Sequence, residues 1–286
     1  TEPPFWGSKI VEDVPLQEVF AHINENVLIR GQWQVRQGNT PDAEYEALLD
    51  SKIRPIKKEL EERCIREKLL LPKAVYGYFP CQASGNDVIV YDPSIYKASG
   101  ERKELLRFTF PRQDHGKHLC ISDFFTSVEE NLVDALPLQI VTMGEKASLY
   151  SQDLFKSDKY TDYLYFHGLS VESAEGLAEV MHKRIRKELG FAKEDSADIK
   201  KLLNQGYRGT RYSFGYPACP NLEDHTKLFT LLEPERVGLS LSEEFQLVPE
   251  QSTSAIIVIH PEAKYFNINT QQAAAQEAAA QDLAFQ

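Results

Sequence analysis

A chain of 286 residues with 42% hydrophobic and 26% charged residues has the composition of a folded globular protein with a sizeable core. Its net charge of −11 argues against a nucleic-acid partner, because binding a polyanion needs a basic footprint. No run of about twenty apolar residues exists, and the opening TEPPFWGSKIVEDV has neither the basic end nor the apolar centre of a signal peptide. The expectation is a soluble, cytoplasmic protein that makes no use of a membrane. The chain begins at Thr1 and not at Met, as a piece of something longer would. No Ser/Gly-rich linker divides it, so one domain is expected over residues 1–270, followed by an Ala/Gln-rich tail over 271–286 that is either a short helix or a frayed end.

From Pro41 to Leu71 the apolar residues Leu48, Leu49, Ile53, Ile56, Leu60, Cys64 and Ile65 follow a helical spacing, with Pro55 expected to kink or divide the helix. In AVYGYFPCQASGNDVIVYD the Gly85-Asn86-Asp87 run predicts a hairpin turn leading into a strand over Val88 to Tyr91. ELLRFTFPR and LQIVTMG supply two further strands. SVESAEGLAEVMHKRIRKELG predicts the clearest helix, with Val171, Ala174, Leu177, Ala178, Met181, Ile185 and Leu189 on one face and Gly190 as its cap. Read this way, Glu172 and Glu175 stand in its first turns and the basic residues near its end, both favourable to the helix dipole. EEFQLVP, SAIIVIHP and YFNIN read as late strands that rejoin the sheet. Strands following strands give an α+β fold, a twisted, largely antiparallel sheet flanked by helices.

Little in the sequence declares chemistry by spacing alone. Cys64, Cys81, Cys120 and Cys219 form no C-x-x-C pair and are expected to be reduced and mostly buried. His115 and His118 lack a third ligand nearby and read as a solvated loop. His182 lies in the basic run HKRIRK, which reads as a wet helix face and, in so acidic a chain, the best local patch for an acidic partner. No glycine-rich nucleotide loop and no nucleophile elbow is present, so no residue is assigned a catalytic role and no metal site is expected.

One stretch asks for more: RGTRYSFGYPACPNLEDH, Arg208 to His225. Glycines and prolines account for a turn, but not for Arg211 or Tyr216. Within it, RYSFGYPACP resembles the R-x-x-x-G-Y-P-A-C-P signature of the activation domain of cobalamin-dependent methionine synthase. VEDVPLQEVFAHIN, GYFPCQASGNDVIVYD, FPRQ with LCISDFF, HGLSVESAEGLAEVMHKRIRK and HPEAKYF agree in order, over roughly Gly7 to Ile268.

The resemblance implies an S-adenosylmethionine-binding module of a methyltransferase of methionine biosynthesis. In that family the domain docks on a separate cobalamin-binding module whose cobalt has been oxidised to cob(II)alamin. A flavodoxin-like or other electron donor reduces the cobalt while S-adenosylmethionine supplies the methyl. By position in the motif, Arg211 is implied to pair with the ligand carboxylate, Ser213 and Gly215 to offer backbone to the adenosine, and Tyr216 to add an aromatic body and a hydroxyl. Tyr265 and Phe266 fall where an aromatic pair contacts the ligand, though one of two adjacent strand residues could be core. Asn24 stands where many relatives carry Asp to hold the ammonium, and Glu175 matches a family acid that can compensate. Phe214 and Ser213 stand where Pro and Ala are frequent. The chain has no homocysteine, folate or cobalamin module, so alone it cannot make methionine. Two other readings remain open: a docking module for an acidic electron carrier through Lys183 to Lys187 with a decayed ligand site, and a free-standing reactivator of another corrinoid protein.

Overall fold

Along Lys73–Ser84 bulky side chains alternate between two directions, and both directions are buried, which is the mark of a strand covered on its two faces. The computed structural model describes residues 2–269, so the expected tail over 271–286 lies outside the described residues. The elements begin with β1 (Gly7–Val11), α1 (Leu16–Ala21), α2 (Asp42–Leu48) and α3 (Arg54–Glu67). Next come β2 (Lys73–Ser84), β3 (Asp87–Tyr91), α4 (Pro93–Ser99), β4 (Glu104–Thr109) and β5 (Asp134–Thr142). The second half holds α5 (Glu145–Lys156), α6 (Tyr160–Glu188), α7 (Ile199–Leu203), β6 (Thr210–Ser213), α8 (His225–Leu232), β7 (Ser240–Leu241), β8 (Leu247–Val248) and β9 (Ser252–Val258). The main sheet runs β4-β3-β2-β5-β9-β6, with β1 also on β2, and every pairing in it is antiparallel. This is the α+β architecture expected.

One face of the sheet carries Ala74, Tyr76, Tyr78, Val141 and Ile257 into a core with Leu177, Met181 and Ile185 of α6 and Val19 and Phe20 of α1. Val75, Phe79, Leu138, Ile256 and Val258 enter the opposite core beneath Leu228, Leu231 and Leu232 of α8. Fully burying each such side chain contributes about 1.5–3 kcal/mol. The hydroxyls of Tyr76 and Tyr78 donate to the two carboxylate oxygens of Glu188 at 2.8 and 2.7 Å, pinning the end of α6 to β2. That helix closes as expected on Gly190, at φ +89°, with Gly190 N donating to Lys187 O and Phe191 N to Arg186 O.

α1 crosses α6 so closely that a Cβ on Gly176 would lie 2.7 Å from the Val19 carbonyl oxygen. Gly176→Ala is therefore expected to destabilise the fold by about 1–3 kcal/mol despite alanine's better helix propensity, measured by urea unfolding. The crossing matters because it seats His22 and Asn24, just past α1, against the same helix.

The hairpin at Gly85-Asn86 and the strands around Val88, Leu105, Ile140 and Ile256 are as expected. Pro55 does stand at the division of the first helical stretch, in the first turn of α3, after a π-helical turn over Leu49–Ile53. Four expectations need correction. The long helix starts at Tyr160, ten residues before Ser170, so Glu172 and Glu175 are mid-helix and owe nothing to a first-turn dipole. His182 and Arg186 are buried, so HKRIRK is not a wet face; only Lys183 and Lys187 are exposed and Arg184 is half-buried. EEFQLVP yields only Leu247–Val248, paired with Ser240–Leu241 in a separate ribbon. YFNIN forms no strand; Tyr212 Oη donates to Lys264 O at 2.7 Å and Gln113 Nε2 to Asn267 O at 2.7 Å, and these side-chain bonds fix the segment without a ladder. All four cysteines are free and buried. His115 and His118 do lie in a loop, bonded locally to Asp114 and Gln113. Among the described residues no helix is long and apolar enough to cross a membrane.

Candidate functional site

β6 is a four-residue strand whose alternation sorts the signature into two sets. Tyr212 and, just beyond the strand, Phe214 enter the core under α8, where Phe214 packs on Phe108 and His225 at ring distances of 5.9 and 5.6 Å. Arg211 and Ser213 take the other side, towards α6. The aromatic ring of Phe214 thus anchors the loop from behind.

After Ser213 the chain turns sharply. Gly215 sits at φ +91°, and a Cβ there would also come within 2.9 Å of Leu222 Cδ2. Gly215 N donates to Cys219 O and Cys219 N to Tyr216 O, both at 3.0 Å, and the Cys219 thiol donates to Ser213 O at 3.0 Å. Burial pushes that thiol's pKa up, so Cys219 is a packing group that ties the loop shut. At the tip, Tyr216 is left 55% exposed.

Two adjoining cavities open in front of this loop, of about 240 and 360 Å³. Arg211, Glu175, Glu179, Leu203 and Tyr216 line both. Ser213, Tyr207 and Tyr265 line the smaller, and His22, Asn24, Gln32 and Glu172 the larger. Phe266 lies behind, edge-on to Tyr212 at 5.6 Å in the core. A further cavity of about 380 Å³ lies past the end of β9, between Phe124, Phe191 and His260, and none of the signature residues reaches it.

Arg211 Nη1 lies 2.5 Å from Glu179 Oε2, and Nη2 lies 3.8 Å from Glu175 Oε2. Burial opposes the guanidinium charge, but Glu179, Tyr207 and Glu175 outweigh it and raise the pKa, so Arg211 is always charged. Glu179 is nearly fully buried and its Oε1 has no hydrogen-bond partner. Asn24 Oδ1 accepts from the backbone N–H of Asn26 at 3.1 Å and of Val27 at 3.3 Å, so its side chain serves first as a cap for the following turn. Farther along α6, buried Arg186 grips Asp195 through two bonds of 2.7 and 2.9 Å and lies 3.9 Å under the Tyr207 ring. Burial first, then Arg186 and Arg211, depress the pKa of His182 far below its ordinary value.

The structure thus brings Asn24, Glu175, Arg211, Ser213, Tyr216 and Tyr265 to one place. Glu172, read from the sequence only as a helix-end charge, joins them, as do Glu179, His22, Gln32 and Tyr207, which the sequence reading did not single out. The spacing Glu172-Glu175-Glu179, one stripe of a helix, was the available signal. Chemically the arrangement can hold a carboxylate at Arg211, cationic groups among the acids, and an aromatic or planar group against the tyrosines.

Residues 32–281 match the family model described as vitamin B12 dependent methionine synthase, activation domain. The chain is 44% identical over 278 residues to methionine synthase of Mycobacterium tuberculosis (strain ATCC 25618 / H37Rv), and 42% identical over 280 residues to that of Mycobacterium leprae (strain TN). In both cases the match covers 93% of this chain and 23% of the relative, so the chain spans about a quarter of the length of those proteins. The fold is similar to the crystal structure of the MetH reactivation domain bound to AdoHcy, with a TM-score of 0.81 and 22% identity over 96% of this chain and 87% of that one. The sheet order, the Arg211-to-Pro220 loop and these matches converge, and the chain belongs to the activation-domain family of vitamin B12-dependent methionine synthases.

Proposed function

We propose that this chain binds S-adenosylmethionine in the paired cavities and presents its methyl group to cob(II)alamin carried by a partner module, as the reactivating part of a cytoplasmic methionine synthase. The observation that carries the reading is the position of Arg211: the one arginine of the signature lines both cavities, with Ser213, Tyr216 and Tyr265 around one and Asn24 and Glu175 around the other. The residues fit the ligand. A guanidinium held at one end by Glu179 keeps its other N–H donors for a carboxylate, a geometry lysine lacks. Three carboxylates against that single arginine, together with the unpartnered Glu179 Oε1, suit a ligand with two positive groups and one negative. Tyr216 and Tyr265 in the cavity wall supply aromatic surface suited to a sulfonium or an adenine.

S-adenosylmethionine supplies an electrophilic methyl, and a low-valent cobalt with an electron from a flavodoxin-like donor accepts it. The chain's own task is orientation and exclusion of water, which needs no general base. The docking-module alternative keeps only part of its patch, because Arg186 within Lys183 to Lys187 is wholly buried against Asp195 while Lys183 and Lys187 stay exposed. Calorimetric titration of S-adenosylmethionine into the chain is expected to show saturable one-to-one binding, and addition of a cobalamin module with a reductant should then permit methyl transfer. Absence of binding to the chain, alone and with that module, would overturn the reading.

A further inference from the structure

The larger cavity has an excess of acceptors and no cation of its own beyond Arg211. Glu172, on α6, is only 6% exposed and its one hydrogen-bond partner is neutral: Gln32 Nε2 donates to Oε1 at 3.1 Å. His22, 9% exposed, donates through Nδ1 to the Glu18 carbonyl at 2.8 Å, which leaves Nε2 as a bare acceptor, and that buried atom has no partner. Asn24 Oδ1 already receives two backbone N–H groups. Glu179 spends one oxygen on Arg211, while half-exposed Glu175 stands 3.8 Å from it. A buried carboxylate facing a neutral amide, beside an imidazole with an unused lone pair, is an incomplete polar cluster, and such clusters are costly unless something completes them.

An ammonium is the complement. It has three N–H donors, it brings the missing positive charge, and the larger cavity offers the Glu172 and Glu175 carboxylates as acceptors, with His22 in its wall. Resting on the S-adenosylmethionine reading above, we infer that Glu172 is the counter-charge for the ligand's ammonium, and that seating the ammonium there expels to solvent the proton Glu172 carries in the free protein. Burial pushes the Glu172 carboxyl up to about 7; the hydrogen bond from Gln32 pulls it down by less, and the neighbouring Glu175 charge adds a smaller push upward. The other charged groups lining the cavity are Glu175 and Glu179 on α6 itself and Arg211 on β6; His22 and Tyr216 complete the titratable set. The sign follows. Only the ionised carboxylate holds the cation, so below about pH 7 the ligand must displace a proton.

The test is calorimetry of the whole chain in buffers of different ionisation enthalpy, with S-adenosylmethionine and S-adenosylhomocysteine, both of which carry the ammonium. Release of about half a proton per ligand at pH 7, rising towards one at pH 6, is expected for both, with Kd weakening towards tenfold per pH unit below 7. Glu172→Gln, which keeps an acceptor for Gln32, should abolish the release and flatten the pH profile. Binding without proton release in the wild-type chain would overturn the inference while leaving the ligand reading intact, as would release that persists in Glu172→Gln. Release with S-adenosylmethionine alone would assign the effect to the sulfonium and equally overturn it. No binding of either ligand would take down both.

Discussion

Replacing Arg211 by alanine is expected to weaken S-adenosylmethionine binding by about 2–4 kcal/mol, roughly 30- to 1,000-fold, on the scale of bidentate charge-assisted hydrogen bonds. The loss has two parts. The guanidinium that would meet the ligand carboxylate disappears, and Glu179, whose side chain is 5% exposed, loses the cation 2.5 Å away. The second part acts without ligand, so the same variant should also unfold at lower urea, since a buried carboxylate left without its partner is among the costlier single changes. Arg211→Lys separates the two: it keeps a charge for Glu179 and restores stability, but it cannot reproduce the fork and should recover only part of the affinity. Unchanged calorimetric affinity in Arg211→Ala would remove Arg211 from the site.

The largest effect on stability is expected at Asp195, away from the signature. Arg186 is completely buried, and its only anion among the described contacts is the Asp195 carboxylate, at 2.7 and 2.9 Å. Asp195→Ala strands a guanidinium in the core and should cost about 3–5 kcal/mol by urea unfolding, whereas the double replacement Arg186→Met with Asp195→Leu should recover most of that loss. The pair also clasps the segment that carries Leu203, Gln205 and Tyr207 into the smaller cavity. Ligand affinity should therefore fall with Asp195→Ala even at temperatures where the protein remains folded.

The sheet, the hairpin at Gly85-Asn86 and the cap at Gly190 were legible because each rests on local rules: alternation, a two-residue turn, a left-handed glycine. The start of α6 was not: the helical pattern was read only from Ser170 onward, and the ten residues before it were assigned no element. In the fold Gly168 is mid-helix, and its missing Cβ makes room for Trp33, whose ring atoms would stand 2.9 Å away. HKRIRK misled for a related reason. Charge is visible in a sequence, but the groups that receive it, the Asp195 carboxylate and the Tyr207 ring for Arg186, come from another segment. YFNIN looked like a strand by composition, yet tethers from Tyr212 and Gln113 fix it instead. For the site, Arg211, Ser213, Tyr216, Tyr265, Asn24 and Glu175 were reachable through family resemblance. Glu172 and His22 were not, because their interest lies in what surrounds them and not in their type.

The alternation of β6 has an evolutionary corollary. Arg211 and Ser213 face one side, while Tyr212 and Phe214 enter the core on the other, so inserting or deleting one residue between Gly209 and Gly215 would exchange the two sets. Aromatics would then crowd the cavities and a charge would enter the apolar core. A change of side chain leaves the two faces in place; a change of length does not. Lineages carrying this domain should record drift here as substitutions, with gaps confined to the chain outside it.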